Sequence, residues 1–162
     1  MEEFKSLAEF SLKLLELQVS TVIELHHGLK RVAEAVEKTA KSEIGTYQNA
    51  VGPFPAWADL ADSTEAHKAA MGYPADAPLL ATGEMLDSIE HHVEGLEAEI
   101  GSNDDKMIYH EFGTTKMPPR PILGPAAYRN KHKIEMILGH ATVLGLLEGS
   151  GIHPSLNYDF DV

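Results

Sequence analysis

One segment of eighteen residues, Tyr109 to Ala126, constrains the fold of this chain more than any other stretch. Gly113 suits the left-handed position that closes a short helical turn over 109–112 without a Cβ penalty. Three prolines between positions 118 and 121 fix their own φ and push the residues before them out of the α region, so 116–122 is predicted to run extended. Pro125 then suits the first turn of a new helix.

An extended proline-rich arm is not expected to be able to bury itself, so we expect residues 114–122 to be held out for another molecule. The alternative is a loop that merely links two elements. Most such connections are shorter and less constrained than this one, which favours the first interpretation.

The order of residue types in this segment resembles the signature of the tail-completion, or head-tail joining, proteins of tailed bacteriophages. The pattern is Tyr-x-Glu-Phe-Gly-Thr-x-x-Met-Pro-x-Arg-Pro-x-Leu-x-Pro-Ala. It is carried here by Tyr109, Glu111, Phe112, Gly113, Thr114, Met117, Pro118, Arg120, Pro121, Leu123, Pro125 and Ala126.

A second stretch upstream is similar to a pattern in the related phage virion-morphogenesis proteins. It consists of Trp57, Leu60, Thr64 and Lys68, followed by Pro-Leu-Leu-Ala-Thr-Gly-Glu-Met-Leu-Asp-Ser-Ile at 78–89, in which Met85 stands where leucine is more usual. The two matches run from Trp57 to Ala126, a little under half of the chain. What lies before and after them is not covered by the resemblance.

The resemblance implies a virion structural protein at the head-tail junction, one that forms a homo-oligomeric ring joining the tail tube to the head connector. The implied partners are other copies of the chain, a head connector or stopper protein, and a tail tube or tail terminator protein. DNA would be only passing cargo. The ring would be assembled in the host cytoplasm and end in the virion.

We expect the residues of the motif to form the contacts between subunits in such a ring. The expected interface consists of Tyr109, Glu111, Phe112, Gly113, Thr114, Met117, Pro118, Arg120 and Pro121. Arg120 is expected to form a charge-assisted pair with an acidic group, and Glu111 is the candidate partner within or between subunits. Phe112 is expected to anchor the base of the arm. The pairing is inferred from the charges and is not part of the resemblance.

Composition excludes several kinds of protein. The 162 residues suffice for one core, and the absence of cysteine excludes disulfides and thiolate metal sites. A net charge of −12 disfavours a nucleic-acid-binding surface, which needs clustered Lys and Arg, and would repel DNA passing through a ring. The start of the chain lacks the apolar region of a secretion signal, and no run predicts a membrane span, so we expect no membrane partner.

Periodicity predicts an α+β fold with helices on one face of a small antiparallel sheet. A long amphipathic helix is predicted from Glu2 to about Lys41, too long for so small a core, so part of its apolar stripe is expected to contact a neighbouring subunit or, alternatively, to lie along its own domain. A shorter helix is predicted over 56–71, and a hairpin over 89–100 with its next turn at 101–105. The last helix is predicted from Pro125 to about Glu148.

These elements divide the chain into a long helix at 1–44, a core at 45–148 that includes the arm, and a tail at 149–162. A third strand is needed to stabilise the sheet, and the candidates for it are 45–54, the tail or an adjacent subunit.

A small helical metal-dependent enzyme is the alternative function. Glu24 and His27 have the Glu-x-x-His spacing of di-iron bundles, but a second copy of that motif is missing from the sequence. The His26-His27 and His91-His92 pairs point apart on a helix or a strand. We therefore expect no catalytic, cofactor-binding or metal-binding residue in this chain.

Overall fold

The computed structural model describes residues 5–150, and of residues 148–150 it describes the backbone alone. The chain is an α+β fold, as the sequence predicts, with a long helix near its amino terminus and a two-stranded antiparallel sheet. The elements are α1 (Leu7–Glu43), α2 (Asp62–Ala70), α3 (Glu84–Asp87), β1 (Ile89–Glu94), β2 (Glu97–Ser102), α4 (Lys106–Phe112), α5 (Leu123–Arg129) and α6 (Lys131–Ser150). The predicted start of the first helix at 2–4 and the predicted tail from 151 onward lie outside the described residues.

The longest element, α1, has 37 residues and spans roughly 55 Å. Ser6 caps it, because its hydroxyl accepts a hydrogen bond from the Glu9 backbone N–H. Only its carboxyl-terminal half enters the core, through Val32, Ala33, Val36 and Ala40. Its amino-terminal half runs on beyond the hairpin and leaves many large apolar side chains exposed.

The hairpin alternates as predicted, with one face toward α1 and the other toward solvent. Ile89 is fully buried at one end of β1, and His91 Nδ1 is hydrogen-bonded to the Glu37 carboxyl of α1. The exposed positions are Glu90, His92, Glu94, Glu97 and Glu99. The second strand extends to Ser102 because Ser102 pairs with Ile89, so the predicted turn at 101–105 begins two residues later.

The expected third strand is not found among the described residues. Residues 45–54 provide one isolated bridge between Val51 and Phe54. The hairpin gains its stability from α1, which packs across its apolar face, and therefore does not need another strand.

Helix α6 packs against α1, and two glycines let the helices approach closely. A Cβ at Gly28 would lie 3.0 Å from the Ala141 Cβ, and a Cβ at Gly145 would overlap the Thr21 backbone. Thr39 lies near Asn130 at the start of α6, so the two helices run antiparallel.

The predicted last helix is two helices with a break at Asn130. The Asn130 side chain donates to Thr39 Oγ1 at 2.7 Å and to Ala126 O at 2.8 Å. This buried amide ties the junction of α5 and α6 to α1. The prediction of a single helix from Pro125 was therefore wrong at this point, and α5 begins two residues before that proline.

The predicted second helix was also too long, because residues 56–61 are not helical and α2 begins at Asp62. The reason is a competing interaction. The Arg120 guanidinium binds the backbone carbonyls of both Ala58 and Asp59, which holds this segment beside the arm in a non-helical conformation.

One acidic group is buried where α1 meets α5. Glu43 lies beside Arg129, with 3.1 Å between Oε1 and the arginine Nε. Burial raises the pKa of Glu43 to about 7. The positive charge of Arg129 opposes this rise, and the negative charge of Glu111 adds to it. The folded state therefore holds this proton more tightly than the unfolded state does.

We expect this carboxyl to make the chain less stable as pH rises from about 4.5 to about 7. Its contribution is fully present below the ordinary pKa of Glu and is lost as pH passes the raised value, a change of about 3 kcal/mol at most. Glu43→Gln removes the titration. Urea unfolding at pH 5 and pH 8 should therefore show Glu43→Gln gaining stability relative to the parent at the higher pH. Glu34→Gln, an exposed change on the same helix, serves as the control. An equal Glu43→Gln effect at both pH values would contradict the assignment.

Candidate subunit-interface site

Helix α4 presents three large side chains to solvent inside the proline-glycine segment. Ile108, Tyr109 and Phe112 are all exposed, and 82% of Phe112 is accessible. Met107 faces the other way and is buried in the core. We call the three exposed side chains the α4 patch. Their positions at i, i+1 and i+4 place them on one side of a helix that is fixed to the domain.

Gly113 ends α4 and turns the chain into a tight loop. Its φ of 71° lies in the region that favours glycine. A Cβ there would lie 2.8 Å from the Pro119 backbone nitrogen and 2.9 Å from the Met117 carbonyl oxygen. Thr114 and Met117 exchange two backbone hydrogen bonds of 2.8 and 3.3 Å across the loop. The loop is therefore held by its own backbone next to the α4 patch.

The Arg120 side chain is buried within its own chain, with 4% of its surface exposed. Its Nη2 donates to the carbonyls of Ala58 at 2.9 Å and Asp59 at 3.0 Å. Its backbone N–H donates to the His110 carbonyl at 2.7 Å. These bonds fasten the end of the arm to the segment before α2.

Glu111 is also used within its own chain. Its Oε1 accepts hydrogen bonds from the backbone N–H groups of Ile122 at 2.8 Å and Leu123 at 2.7 Å. A carboxylate in this position satisfies donors at the start of α5 and interacts favourably with the helix dipole. The expected pair between Glu111 and Arg120 was therefore wrong, because the carboxylate binds amide N–H groups and the guanidinium binds carbonyls.

Trp57 also holds the end of the arm against the core. Its indole is buried, and its Nε1 donates to the Pro121 carbonyl at 3.1 Å. Together with Arg120, this bond joins the two stretches of sequence that carry the resemblance, although they are some sixty positions apart. Lys68 of the upstream stretch is likewise buried, and its ammonium binds the Ala77 carbonyl.

The predicted arm therefore consists of two parts with different surroundings. Residues 120–122 are buried, and Ile122 belongs to the main core. Residues 114–119 are exposed except for Met117, which is half-buried. The expectation that the arm cannot bury itself was wrong for 120–122, because its polar backbone groups find partners in Glu111, Trp57 and His110.

The structure divides the nine predicted interface residues accordingly. Tyr109 and Phe112 belong to the α4 patch; Gly113, Thr114, Met117 and Pro118 form the loop; Glu111, Arg120 and Pro121 hold the arm to its own domain. Ile108 was missed, although its position four residues before Phe112 on a helix was a usable signal.

A cleft of about 360 Å³ lies between the arm and residues 79–83. Lys68, His110, Lys116 and Arg120 are among the residues that line it. Burial lowers the pKa of His110, and the charge of Arg120 lowers it further. His110 Nδ1 is buried and has no hydrogen-bond partner among the described residues. The cleft therefore keeps a neutral imidazole at physiological pH.

The histidines singled out for a metal site are dispersed. His27 Nδ1 lies 3.6 Å from Glu24 Oε1, and His26 Nδ1 is 2.7 Å from the Gly95 carbonyl oxygen. Among the side chains that the structure describes, at residues 5–147, three His, Asp or Glu groups do not converge anywhere in an arrangement that could hold a metal ion. Within the same range, no helix combines the length and apolar character needed to cross a membrane.

No family model, curated protein or solved structure matches this chain. The candidate site is therefore defined by its own residues: an exposed apolar patch on α4, a rigid loop beside it, and an arm whose end is fastened to the core.

We predict that Gly113→Ala destabilises the chain by about 2–4 kcal/mol, because the methyl group would require both an unfavourable φ and movement of the Pro119 backbone. Gly72→Ala is the matched control, since Gly72 has a φ of 78° and open space around its Cβ position. Thermal unfolding of the two variants separates the effect of the positive φ, which both share, from the overlap with the Pro119 backbone, which only Gly113→Ala has. Equal losses in both variants would show that the loop does not press against Gly113.

Proposed function

We propose that this chain is a virion structural protein at the head-tail junction of a tailed phage or phage-like particle, where it forms a ring joining the tail tube to the head connector. The observation that carries the proposal is the α4 patch. Three large apolar or aromatic side chains stand exposed on a helix fixed by Gly113 and Glu111, inside the segment that resembles the tail-completion signature.

An exposed cluster of this kind is typical of protein contact surfaces, which are rich in aromatic anchors. Holding it on a rigid element reduces the entropy lost when a partner binds. The exposed loop at 114–119 lies next to the patch and would extend the contact. The partners are another copy of the chain, the head connector or stopper, or the tail tube or terminator.

The negative charge of the chain also supports a ring through which DNA passes without binding to the wall. The solvent face of the hairpin carries four glutamates, and the whole chain has a net charge of −12. A wall of this sign repels the DNA backbone, which favours transit.

The proposal is tested by deleting the gene for this chain from the genome of the phage or phage-like particle that carries it. We expect filled heads and completed tails to accumulate separately, and purified protein to join them when it is added back. Electron microscopy counts the joined particles. Infectious, joined particles made without the protein would contradict the proposal.

In this assay, Phe112→Ser is predicted to lower the number of joined particles at least 10-fold, because it removes an aromatic side chain from the contact surface. Thermal stability should stay nearly unchanged, because the Phe112 side chain is almost wholly exposed in the single chain. Met71→Ser is the matched control, since Met71 is an exposed apolar side chain after α2 and outside the patch. If both variants join heads to tails as well as the parent does, the α4 patch is not a contact surface.

A further inference from the structure

The helix pair α1 and α6 carries two exposed apolar stripes that the fold of one chain does not explain. The α1 outer stripe consists of Leu12, Leu15, Val19 and Val22. The α6 outer stripe consists of Met136, Gly139, Val143 and Leu146. All eight residues are exposed, and the α1 members keep between 41% and 63% of their surface accessible.

Both stripes lie on the sides of the helices that face away from the α1–α6 contact. Thr21 and Gly28 of α1 meet Gly145 and Ala141 of α6. At 100° per residue, each outer stripe lies roughly 150–160° around its helix from those contacts. The pair therefore resembles a two-helix layer with an apolar face on each outer side.

The α1 outer stripe continues a pattern that is buried further along the same helix. The spacing of three and four residues runs from Leu12 through Val22 to His26, Leu29, Ala33 and Val36. From His26 onward the hairpin covers this side, since His26 binds the carbonyl of Gly95 at the hairpin turn. The uncovered part begins where the hairpin ends, so none of the described residues completes the same packing, and a helix of a second copy would do so.

The two stripes match each other in spacing. Successive members are three, four and three residues apart in both, which is the heptad spacing by which two helices pack side by side. Helix α6 is apolar on both sides, a property of helices that are buried all round. In the part of the chain that the structure describes, its outer side is exposed.

Gly139 adds an independent observation. A glycine inside a helix destabilises it by about 1 kcal/mol relative to alanine. Gly28 and Gly145 are explained by the close approach of α1 and α6, but nothing lies within 4 Å of a Cβ built at Gly139. Its place in the α6 outer stripe would allow a helix of another molecule to approach closely.

We propose that the α1 outer stripe of one copy packs on the α6 outer stripe of the next copy. Because the two surfaces differ and lie on opposite sides of one helix pair, the contact is heterologous and repeats from copy to copy, as closing a ring requires. This contact would be the one between subunits of the proposed ring, so the inference rests on the proposed function.

The available area fits a second copy as the occupant. The seven apolar side chains of the two stripes expose on the order of 600 Å², and apolar surface makes up a little over half of a typical interface. The full contact would therefore reach about 1,000 Å², the lower limit for a specific one.

The chain contains no cysteine, so single-cysteine variants give a clean crosslinking test. Val143→Cys is mixed with Val19→Cys, which would meet it if the helices run parallel, or with Leu15→Cys, which would meet it if they run antiparallel. Mild oxidation of one of the two mixtures is expected to give mixed disulfide dimers. Glu34→Cys, exposed on α1 outside the stripe, is the control and should not crosslink to Val143→Cys.

A chain carrying both Val19→Cys and Val143→Cys should form a ladder of covalent oligomers. The two thiols lie on opposite sides of the helix pair and cannot close within one chain. The largest member of the ladder would give the number of subunits. Disulfides formed by Val19→Cys chains alone, or by Val143→Cys chains alone, would overturn the proposal in favour of a two-fold contact, and so would a chain that stays monomeric and uncrosslinked.

Two further variants give a readout by sedimentation. Val19→Lys and Gly139→Ala are each expected to weaken self-association at least 10-fold, whereas Glu34→Lys should not. Unchanged association in the first two variants would overturn the proposal. Rings that form without these crosslinks, and still join heads to tails, would refute this surface and leave the proposed function standing. Crosslinked rings that do not join heads to tails would refute the function and leave the surface standing.

Discussion

The fastening of Arg120 to the carbonyls of Ala58 and Asp59 is the interaction on which the arrangement of the candidate site depends. Arg120 is 4% exposed, so its guanidinium needs hydrogen-bond partners within the protein, and main-chain oxygens of a distant segment accept from its Nη2. The same contact explains why α2 starts late and why the arm turns inward at residue 120. Trp57 and Glu111 then fix the chain on either side of it. As a result, the α4 patch and the loop at 114–119 are held at the surface by bonds that are internal to the chain.

The second constraint comes from the length of α1. A helix of 37 residues cannot be covered by one hairpin and one partner helix of 20 residues. Its carboxyl-terminal half forms the core with the hairpin, and its amino-terminal half leaves an apolar stripe exposed. A single chain therefore has two regions with exposed apolar side chains that could form contacts, the α4 patch and the outer faces of the helix pair. They suit a protein that contacts several neighbours at once, as the proposed ring would.

Local patterns in the sequence were sufficient to predict the α+β class, the long helix and the hairpin. Alternation at Ile89, His91 and Val93 is a short-range signal, and so is the helix-ending role of Gly113. What the sequence could not show was long-range. The Glu111 side chain lies eleven positions from the amide it caps, and Arg120 lies about sixty from its carbonyls. Because a carboxylate and a guanidinium nearby in sequence suggest a mutual pair, charge alone gave the wrong partners. The break at Asn130 was missed for a similar reason, since it depends on Thr39 of α1.

The central claim is that the arm is fastened to its own domain and displays the patch and the loop beside it. Hydrogen exchange of the backbone N–H groups of Arg120, Ile122 and Leu123 tests this most directly, in the isolated chain at a concentration too low for assembly. These groups donate to His110 and Glu111 of the same chain, so we predict protection close to that of the core, with Phe112 exposed nearby. Exchange at unprotected rates in the isolated chain, with protection appearing only on assembly, would show that the arm needs a neighbour to hold it and would contradict the account.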